Sequence, residues 1–534
     1  MHWNKSRKSD HPLADRRHVD EFLARLRRQD AFTVLEESAL WLKAVRDAHG
    51  LTPARRFEIA DALDSIARAP FDKVASDFVS LGSRYHTYQA QRTWNLCFQF
   101  ARELGATYQC LVDQHSKRIS GHEMLLPVLP VIVSRALHSL QAELKWSLLR
   151  HGPVDRLLWT LAGSLYSSAE QGKFASKSVT LYPDSPRPSS PRREYLQMLM
   201  LGISATDALL PEDQHLVALL INGYADFFGL ERAPRPGCHY VTDLADSSAP
   251  ARLVERPAAN QTVRYFGPDR ASGEVDRLID AIRERGMVPP ELSAGGKRRA
   301  AEVLDVLDHV LRYWAPTPPV RASVRTAAAV RISVVHGFNA ILDMVSGDSR
   351  ELDFNSNLET WLVQNESEGG FGAVITETAS DWIEVGCLLA ICVEESASWG
   401  VGLVRRLSRP MANTIHVGIE ILSRSAAKVA IESAGAGHPN REFDALLLLS
   451  SVAGSAQKGE LKIVVSPRTF AEDRTFAMRA HEVRYSLTPK RLDRVGDDYE
   501  VAEFRARRVE PPFNVNNAAH QDPGRSVNAT TCRL

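Results

Sequence analysis

The sequence predicts a multidomain α+β chain, with an all-α N-terminal region followed by an antiparallel β-barrel and a second small β-rich domain. Three observations lead to this fold class. The 534 residues suffice for about three to four domains. Apolar residues recur at helical spacing through most of the first 232 residues. Beyond residue 315, short β-branched runs alternate with turn residues, as in a barrel or sandwich.

Composition and charge exclude several classes of protein. Lys plus Arg and Asp plus Glu both number 65, so no bulk charge favours nucleic acid, and any anion site must be local. The longest apolar runs, 124–133 and 385–393, are shorter than the roughly 20 residues that span a bilayer. Residues 1–17 lack the apolar core of a signal peptide. The six cysteines form no C-x-x-C pair, so we expect no metal site and a reducing, cytoplasmic location.

Residues 1–232 form the predicted helical domain. Thr33 and Glu36 have the spacing of a capping box, which predicts a helix beginning there. Thr52 followed by Pro53 predicts the start of the next helix, because threonine caps a helix and proline is favoured at its first position. Residues 233–314 are predicted to be a mixed connector that contains two helices, 274–285 and 297–314.

The C-terminal half changes to a strand pattern. A barrel is predicted over 315–430 and a second β-rich domain over 431–509. The tail, 510–534, is rich in Asn, Pro and small residues and is predicted to be disordered.

Two short motifs mark the first β region. Arg321 and Arg325 form an R-x-x-x-R pair just before a predicted strand, and two guanidiniums on one loop suit phosphate oxygens or a guanine edge. Between later strands lies an Asn-x-Ser-x-x-Gly motif that starts at Asn365 and includes Ser367. Its polar side chains offer hydrogen bonds, and its two glycines allow a ligand to approach the backbone closely. Together the motifs predict a site for a phosphorylated, base-bearing ligand.

The order of the two motifs resembles the PilZ family of cyclic di-GMP receptors, whose signature is R-x-x-x-R followed by [D/N]-x-S-x-x-G. Residues 399–404 and 416–421 resemble the last two strands of that barrel. The resemblance covers roughly 110 residues and implies a PilZ-like β-barrel with cyclic di-GMP as its ligand and no further cofactor.

The resemblance also implies roles for six ligand-binding residues. The two arginines would grip the phosphates and contact guanine, the Asn and Ser side chains would bond to a guanine edge, and the glycines would leave room for the ligand. The implied site consists of Arg321, Arg325, Asn365, Ser367, Gly369 and Gly370.

We therefore expect a bacterial second-messenger effector that is not an enzyme. The barrel would bind cyclic di-GMP, and the helical region would relay the signal by binding a protein partner that the sequence does not identify. The alternative is an interaction scaffold whose degenerate PilZ-like barrel binds no ligand. An enzyme with its active site in the helical region is a third possibility, although no G-x-S-x-G nucleophile motif occurs.

Overall fold

A computed structural model describes most of the chain. The described residues are 11–80, 88–185, 187–254, 261–293, 298–317, 319, 323–347, 358–376, 382–394, 396, 398–411, 413–434, 441–449, 459–480 and 483–509. Arg321 and the predicted tail at 510–534 lie outside these residues.

The N-terminal region is helical, and its helices are α1 (Arg16–Leu26), α2 (Ala31–Asp47), α3 (Pro53–Val79), α4 (Tyr88–Ser116), α5 (Leu129–Leu148), α6 (Arg156–Gln171), α7 (Pro191–Ile203) and α8 (Pro211–Tyr224). Short 3-10 turns lie at Pro12–Ala14, His122–Leu125, Thr206–Ala208 and Ala225–Phe227. In the described part of the chain, no helix is both long enough and apolar enough to cross a membrane.

Caps fix where two of these helices begin. The Thr52 hydroxyl accepts from the backbone N–H of Arg55 at 3.3 Å, so α3 starts at Pro53 as predicted. The predicted start of α2 is wrong by a few residues. Asp30 caps that helix by accepting from the backbone N–H groups of Phe32 and Thr33, and Thr33 lies inside the helix. An ionised Asp three residues earlier takes the role that the sequence pattern assigned to Thr33.

A small sheet and two helices follow. The strands are β1 (Gly229–Glu231), β2 (Tyr240–Asp243), β3 (Ala251–Arg252) and β4 (Val263–Gly267), in the order β1-β4-β2-β3. The helices are α9 (Ala271–Arg285) and α10 (Ala300–Trp314). One hydrophobic core extends from Leu13 to Trp314, so this connector packs into the same core as α1 to α8. Trp314 is fully buried there, and its indole N–H donates to the Ser204 hydroxyl at 3.1 Å.

Two closed barrels occupy the C-terminal half, and the fold class predicted from the sequence is confirmed. The first has strand order β10-β7-β6-β5-β8-β9. Its elements are β5 (Thr326–His336), α11 (Phe338–Ser346), β6 (Leu358–Ser367), β7 (Gly370–Ile375), β8 (Leu388–Val393), β9 (Gly400–Met411) and β10 (Thr414–Ser423).

The second barrel has strand order β11-β12-β13-β16-β15-β14. Its strands are β11 (Ser425–Ala434), β12 (Arg441–Leu449), β13 (Glu460–Val465), β14 (Thr475–Ala480), β15 (Val483–Val495) and β16 (Glu500–Val509). Alternating residues such as Ile431, Ile463 and Phe504 fill its interior. Strand β11 extends across the domain boundary predicted at 430/431, because it begins at Ser425.

The chain divides into two compact units. The first comprises residues 1–333, 360–387 and 402–421, and the second comprises 334–359, 388–401 and 422–534. The described residues of the predicted ligand site all belong to the first unit.

Candidate functional site

The Asn-x-Ser-x-x-Gly motif forms a tight hairpin at one end of the first barrel. Strand β6 ends at Ser367 and β7 begins at Gly370, and these two residues face each other across the strands. The Ser367 hydroxyl donates to the Gly370 carbonyl oxygen at 3.2 Å. This bond holds the hairpin closed, so the motif residues occupy fixed positions on neighbouring strands.

A bulge in β6 determines which way Asn365 faces. Val363 pairs with Ala373, whereas Asn365 pairs with Gly372, so β6 contains one extra residue at this point. Ala373 and Phe371 are buried on the inner side of the sheet, which leaves Gly372 on the outer side. Asn365 shares that outer side with Gly372, and its carbonyl oxygen Oδ1 is buried with no hydrogen-bond partner among the described residues.

Beside Asn365 the outer surface consists of glycine. Gly372 pairs with Gly418 of β10, and Gly370 pairs with Glu420 of the same strand. A Cβ atom at Gly370 would lie 2.0 Å from the Ile419 carbonyl oxygen, so no other residue fits there without moving backbone. We call Gly370, Gly372 and Gly418 the glycine floor. A strand surface without side chains allows the flat face of a ligand to lie against the backbone.

Arg406 on β9 lies at the far edge of the glycine floor. A Cβ atom at Gly418 would be 3.3 Å from the Cβ atom of Arg406, which places the two residues side by side. The Arg406 guanidinium donates to the Tyr313 hydroxyl, lies 5.8 Å from the centre of that ring, and approaches Asp207 at 3.5 Å. A cation of the barrel surface therefore contacts two residues of the helical part of the chain.

Glu420 is the carboxylate that faces Gly370 across β7 and β10. Arg405 forms an ion pair with it at 2.7 Å, so its negative charge is compensated locally. Glu366 follows Asn365 directly, and strand alternation turns its exposed side chain to the other side of β6. Neither carboxylate thus places an uncompensated negative charge on the glycine floor.

The two predicted arginines differ in what the structure describes. Arg325 is exposed and lies one residue before β5, which is the barrel neighbour of β6. Because neighbouring strands are antiparallel, the start of β5 lies at the same end of the barrel as Ser367. Arg321 lies outside the described residues, so its position relative to the hairpin stays a prediction.

Gly369 differs from Gly370 in its surroundings. A Cβ atom added at Gly369 would meet no described heavy atom within 4 Å. Steric necessity for glycine therefore applies to Gly370, where backbone blocks a side chain, whereas Gly372 and Gly418, which the motif did not include, have close side-chain neighbours in Asn365 and Arg406. Their importance comes from a register between strands that are not consecutive in the chain, and the sequence gives no direct signal of it.

A second contact between the barrel and the helical region involves His151, which follows the end of α5. Its backbone has a φ of +49°, a left-handed conformation that is unusual for histidine. Its carbonyl oxygen accepts from the Arg409 backbone N–H at 2.6 Å. Burial, together with the charge of Arg409, lowers the pKa of the His151 ring to about 3, so the ring is neutral. The two residues line a cavity of about 60 Å³ with Trp94 and Leu407.

The helical region carries a larger groove between α4, α5 and α6, with a volume of about 720 Å³. Exposed apolar side chains, including Leu157 and Leu161, form part of its lining. The Oε1 atoms of Gln109 and Gln114 lie buried along it with no hydrogen-bond partner among the described residues. Such a surface has the apolar and polar groups that a protein segment requires for docking.

Metal chemistry finds no support in the described residues, where no three His, Cys, Asp or Glu side chains come together as a metal site requires. The candidate site consists instead of amide, hydroxyl and guanidinium groups around a bare backbone surface, an arrangement that suits ligand binding.

Comparison with known proteins bears on the helical region. No curated protein matches the chain. Residues 17–235, which include α2 to α8 and nearly all of α1, match the family model described as "Cyclic-di-GMP receptor FimW, N-terminal domain". The match supports a cyclic di-GMP receptor and does not extend to the barrel that carries the two motifs. Through its helical region, the chain is thus similar to a family of cyclic di-GMP receptors.

Proposed function

We propose that the protein is a bacterial cyclic di-GMP effector that binds the dinucleotide on the outer face of its first barrel and performs no chemistry on it. The observation that carries this proposal is the glycine floor, with the Asn365 amide over Gly372 and Arg406 beside Gly418. The PilZ-like motif order and the receptor family matched by residues 17–235 support the same ligand.

The chemistry of guanine fits the edge of this floor. Guanine is flat and carries an amino donor beside its ring, whereas the buried Asn365 Oδ1 is an acceptor without a partner among the described residues. A guanine lying on the glycine floor beside this amide would bring its donor edge to that oxygen. Arg325, at the same end of the barrel, would then meet the phosphates in a charge-assisted pair.

Arg406 offers a route by which binding would reach the helical region. Its guanidinium bonds to Tyr313, and Asp207 lies 3.5 Å away. A dianionic ligand on the glycine floor would compete with Asp207 for the guanidinium. Because Tyr313 is the next-to-last residue of α10, release of Arg406 would remove one contact at the end of that helix, beside the buried Trp314. A ligand shifts such an equilibrium only by its differential affinity for the two states.

Calorimetry on the full chain tests the ligand and its site. Arg325→Ala should weaken cyclic di-GMP binding by about tenfold to more than a hundredfold, because a charge-assisted hydrogen bond contributes roughly 1.5–3 kcal/mol. Ser367→Ala should cost less, since it removes one neutral bond. Arg321→Lys should also impair binding, because lysine lacks the planar fork. Arg277→Ala, at an exposed position of α9, is the matched control and should bind normally. Normal binding by Arg325→Ala would show that the site is elsewhere.

Tyr313→Phe tests the relay. It removes the hydroxyl that accepts from Arg406 and leaves the ring in place. We expect cyclic di-GMP to bind about threefold to tenfold more tightly, because an exposed hydrogen bond that competes with the ligand is lost. Hydrogen exchange in α10 should respond to ligand in the wild type and respond less in the variant. Equal affinity and equal exchange in the two proteins would exclude Arg406 as the relay.

The output is proposed to be a protein partner that docks on the helical region, with the groove between α4, α5 and α6 as the surface. Leu157→Glu places a charge in this groove at a side chain that is already 63% exposed, so the fold should tolerate it. Leu219→Glu, at an exposed leucine on α8, is the control. Proteins that co-purify with the wild type and the control but are lost with Leu157→Glu would identify the partner. If the same proteins co-purified with the wild type and with both variants, the groove would be excluded as the docking surface.

The competing proposal is an interaction scaffold whose barrel binds no ligand, and the same groove supports that possibility. The two proposals differ in one observable. A scaffold would co-purify with its partner, lose that partner in the Leu157→Glu variant, and release no heat when titrated with cyclic di-GMP.

A further inference from the structure

The second barrel carries a row of arginines on its outer face. Its inner side chains, such as Met478, Leu487 and Phe504, lie in the barrel core. Strand alternation therefore directs the residues between them outward. Several of these outward positions are arginine, and we call four of them, near one end of β14, β15 and β16, the arginine strip: Arg479, Arg484, Arg505 and Arg507.

The strip lies on three adjacent strands. Arg479 directly faces Arg484 in the register of β14 and β15. On β16, Arg505 and Arg507 are two residues apart and so point to the same side, roughly 7 Å from each other. Like charges that face each other across strands destabilise a sheet. An arrangement with this cost suggests that the strip meets an anionic partner.

Carboxylates compensate little of this charge. Glu432 lies 3.4 Å from Arg484, and Glu460, which faces Arg505 across β13 and β16, forms an ion pair with Lys490 at 2.8 Å. Within the described ranges, no ion pair joins Arg479, Arg505 or Arg507 to a carboxylate. Farther along β16 the charges are paired, since Glu503 contacts Arg491 at 2.8 Å and lysines nearby. The excess positive charge is therefore confined to the strip.

The side chains between the arginines indicate the chemistry of the partner. Ser486 faces Arg507 and Thr488 faces Arg505, so hydroxyl donors accompany the guanidiniums. These groups suit repeated phosphates, which accept several hydrogen bonds at once. The described outward positions of the three strands include no aromatic ring on which a base could stack. Val509, which faces Arg484, is 43% exposed and adds an apolar contact beside the charges.

We propose that the arginine strip binds the phosphate headgroups of an anionic lipid surface. The whole chain has 65 basic and 65 acidic residues, so only a dense array of negative charge would hold it through this local excess. A bilayer offers such an array together with an apolar layer for Val509. This interaction depends on the second barrel and is independent of ligand binding by the first.

Vesicle sedimentation of the full chain tests the proposal. The protein should sediment with vesicles of phosphatidylglycerol and phosphatidylcholine and not with phosphatidylcholine alone, and salt should release it. Each arginine near an anionic surface contributes about fivefold to partitioning, so Arg505→Gln with Arg507→Gln should lower it roughly 25-fold. The corresponding Arg→Lys double variant should retain most of the binding because it keeps both charges.

The matched control is Lys428→Gln with Lys462→Gln, which removes the same net charge from cations that already pair with carboxylates. It should reduce partitioning much less. Three results would overturn the proposal: equal loss in the control, equal binding to neutral vesicles, or binding to DNA in preference to anionic vesicles. Thermal unfolding of each variant verifies its fold, and the salt dependence and lipid dependence of the wild type give a second readout that requires no variant.

Discussion

The closeness of Gly372 and Asn365 leads to a prediction that separates ligand binding from stability. In Gly372→Ala, the added Cβ atom would lie 2.6 Å from Asn365 Oδ1 and 2.8 Å from Nδ2, below any normal contact. Asn365 is the end of a flexible side chain, so it should swing away at little cost to the fold. Alanine is also slightly preferred to glycine inside a strand. The free energy of unfolding should therefore change by less than about 1 kcal/mol.

Ligand affinity should respond much more. An amide that moves off the floor loses its bonds to guanine, and two neutral hydrogen bonds contribute about 1–3 kcal/mol in total, which corresponds to roughly 5-fold to 150-fold. The assay is calorimetric titration with cyclic di-GMP, alongside urea unfolding. Gly273→Ala, on α9 and outside the proposed site, is the control, because its Cβ atom meets no described atom within 4 Å. Gly372→Ala binding as tightly as this control would refute the argument that the Asn365 amide holds the ligand.

Three further predictions concern stability. Gly370→Ala should lower the free energy of unfolding by about 1–3 kcal/mol, because its Cβ atom would strike the Ile419 carbonyl oxygen. A variant with the same free energy of unfolding in urea as the wild type would contradict this. Tyr108→Phe should cost about 1.5–3 kcal/mol in the same assay, since it removes a buried 2.7 Å bond to Asp64, and a neutral result would mean that this bond contributes nothing. Burial raises the pKa of Glu143 from its ordinary value of 4.5 to about 7. The folded state therefore holds this proton more tightly than the unfolded state, and stability should fall as pH rises from about 4.5 to 7, by on the order of 3 kcal/mol. Glu143→Gln should remove this part of the pH dependence, and an unchanged profile in the variant would exclude Glu143 as its source.

Local sequence signals predicted where helices begin more accurately than they predicted how the helices and strands pack together. Thr52 and Pro53 mark the start of α3 because a cap and a proline act within one turn. The start of α2 was missed because Asp30 competes with Thr33 for the same role, and a carboxylate is the better acceptor at a positive helix end. The sequence did not show that the connector packs into the N-terminal core, because that packing depends on contacts between residues far apart in the chain, such as Trp314 and Ser204.

In the candidate site too, the sequence indicated only those residues that lie close together in the chain. The motif located the hairpin because Ser367 and Gly370 are close in sequence as well as in space. The motif did not reveal Gly418 or Arg406, since their positions beside Asn365 follow from a barrel order in which β7 pairs with β10. The bulge that turns Asn365 outward likewise adds one residue without any glycine or proline to mark it.

Cyclic di-GMP binding to the full chain is the central claim, and one calorimetric titration tests it most directly. The wild type should bind in the micromolar range or tighter, and a double variant, Arg325→Ala with Asn365→Ala, should give no measurable heat while it unfolds at the wild-type temperature. The claim would be contradicted by a wild type that gives neither heat nor a ligand-induced thermal shift at high ligand concentration, or by a double variant that binds as the wild type does.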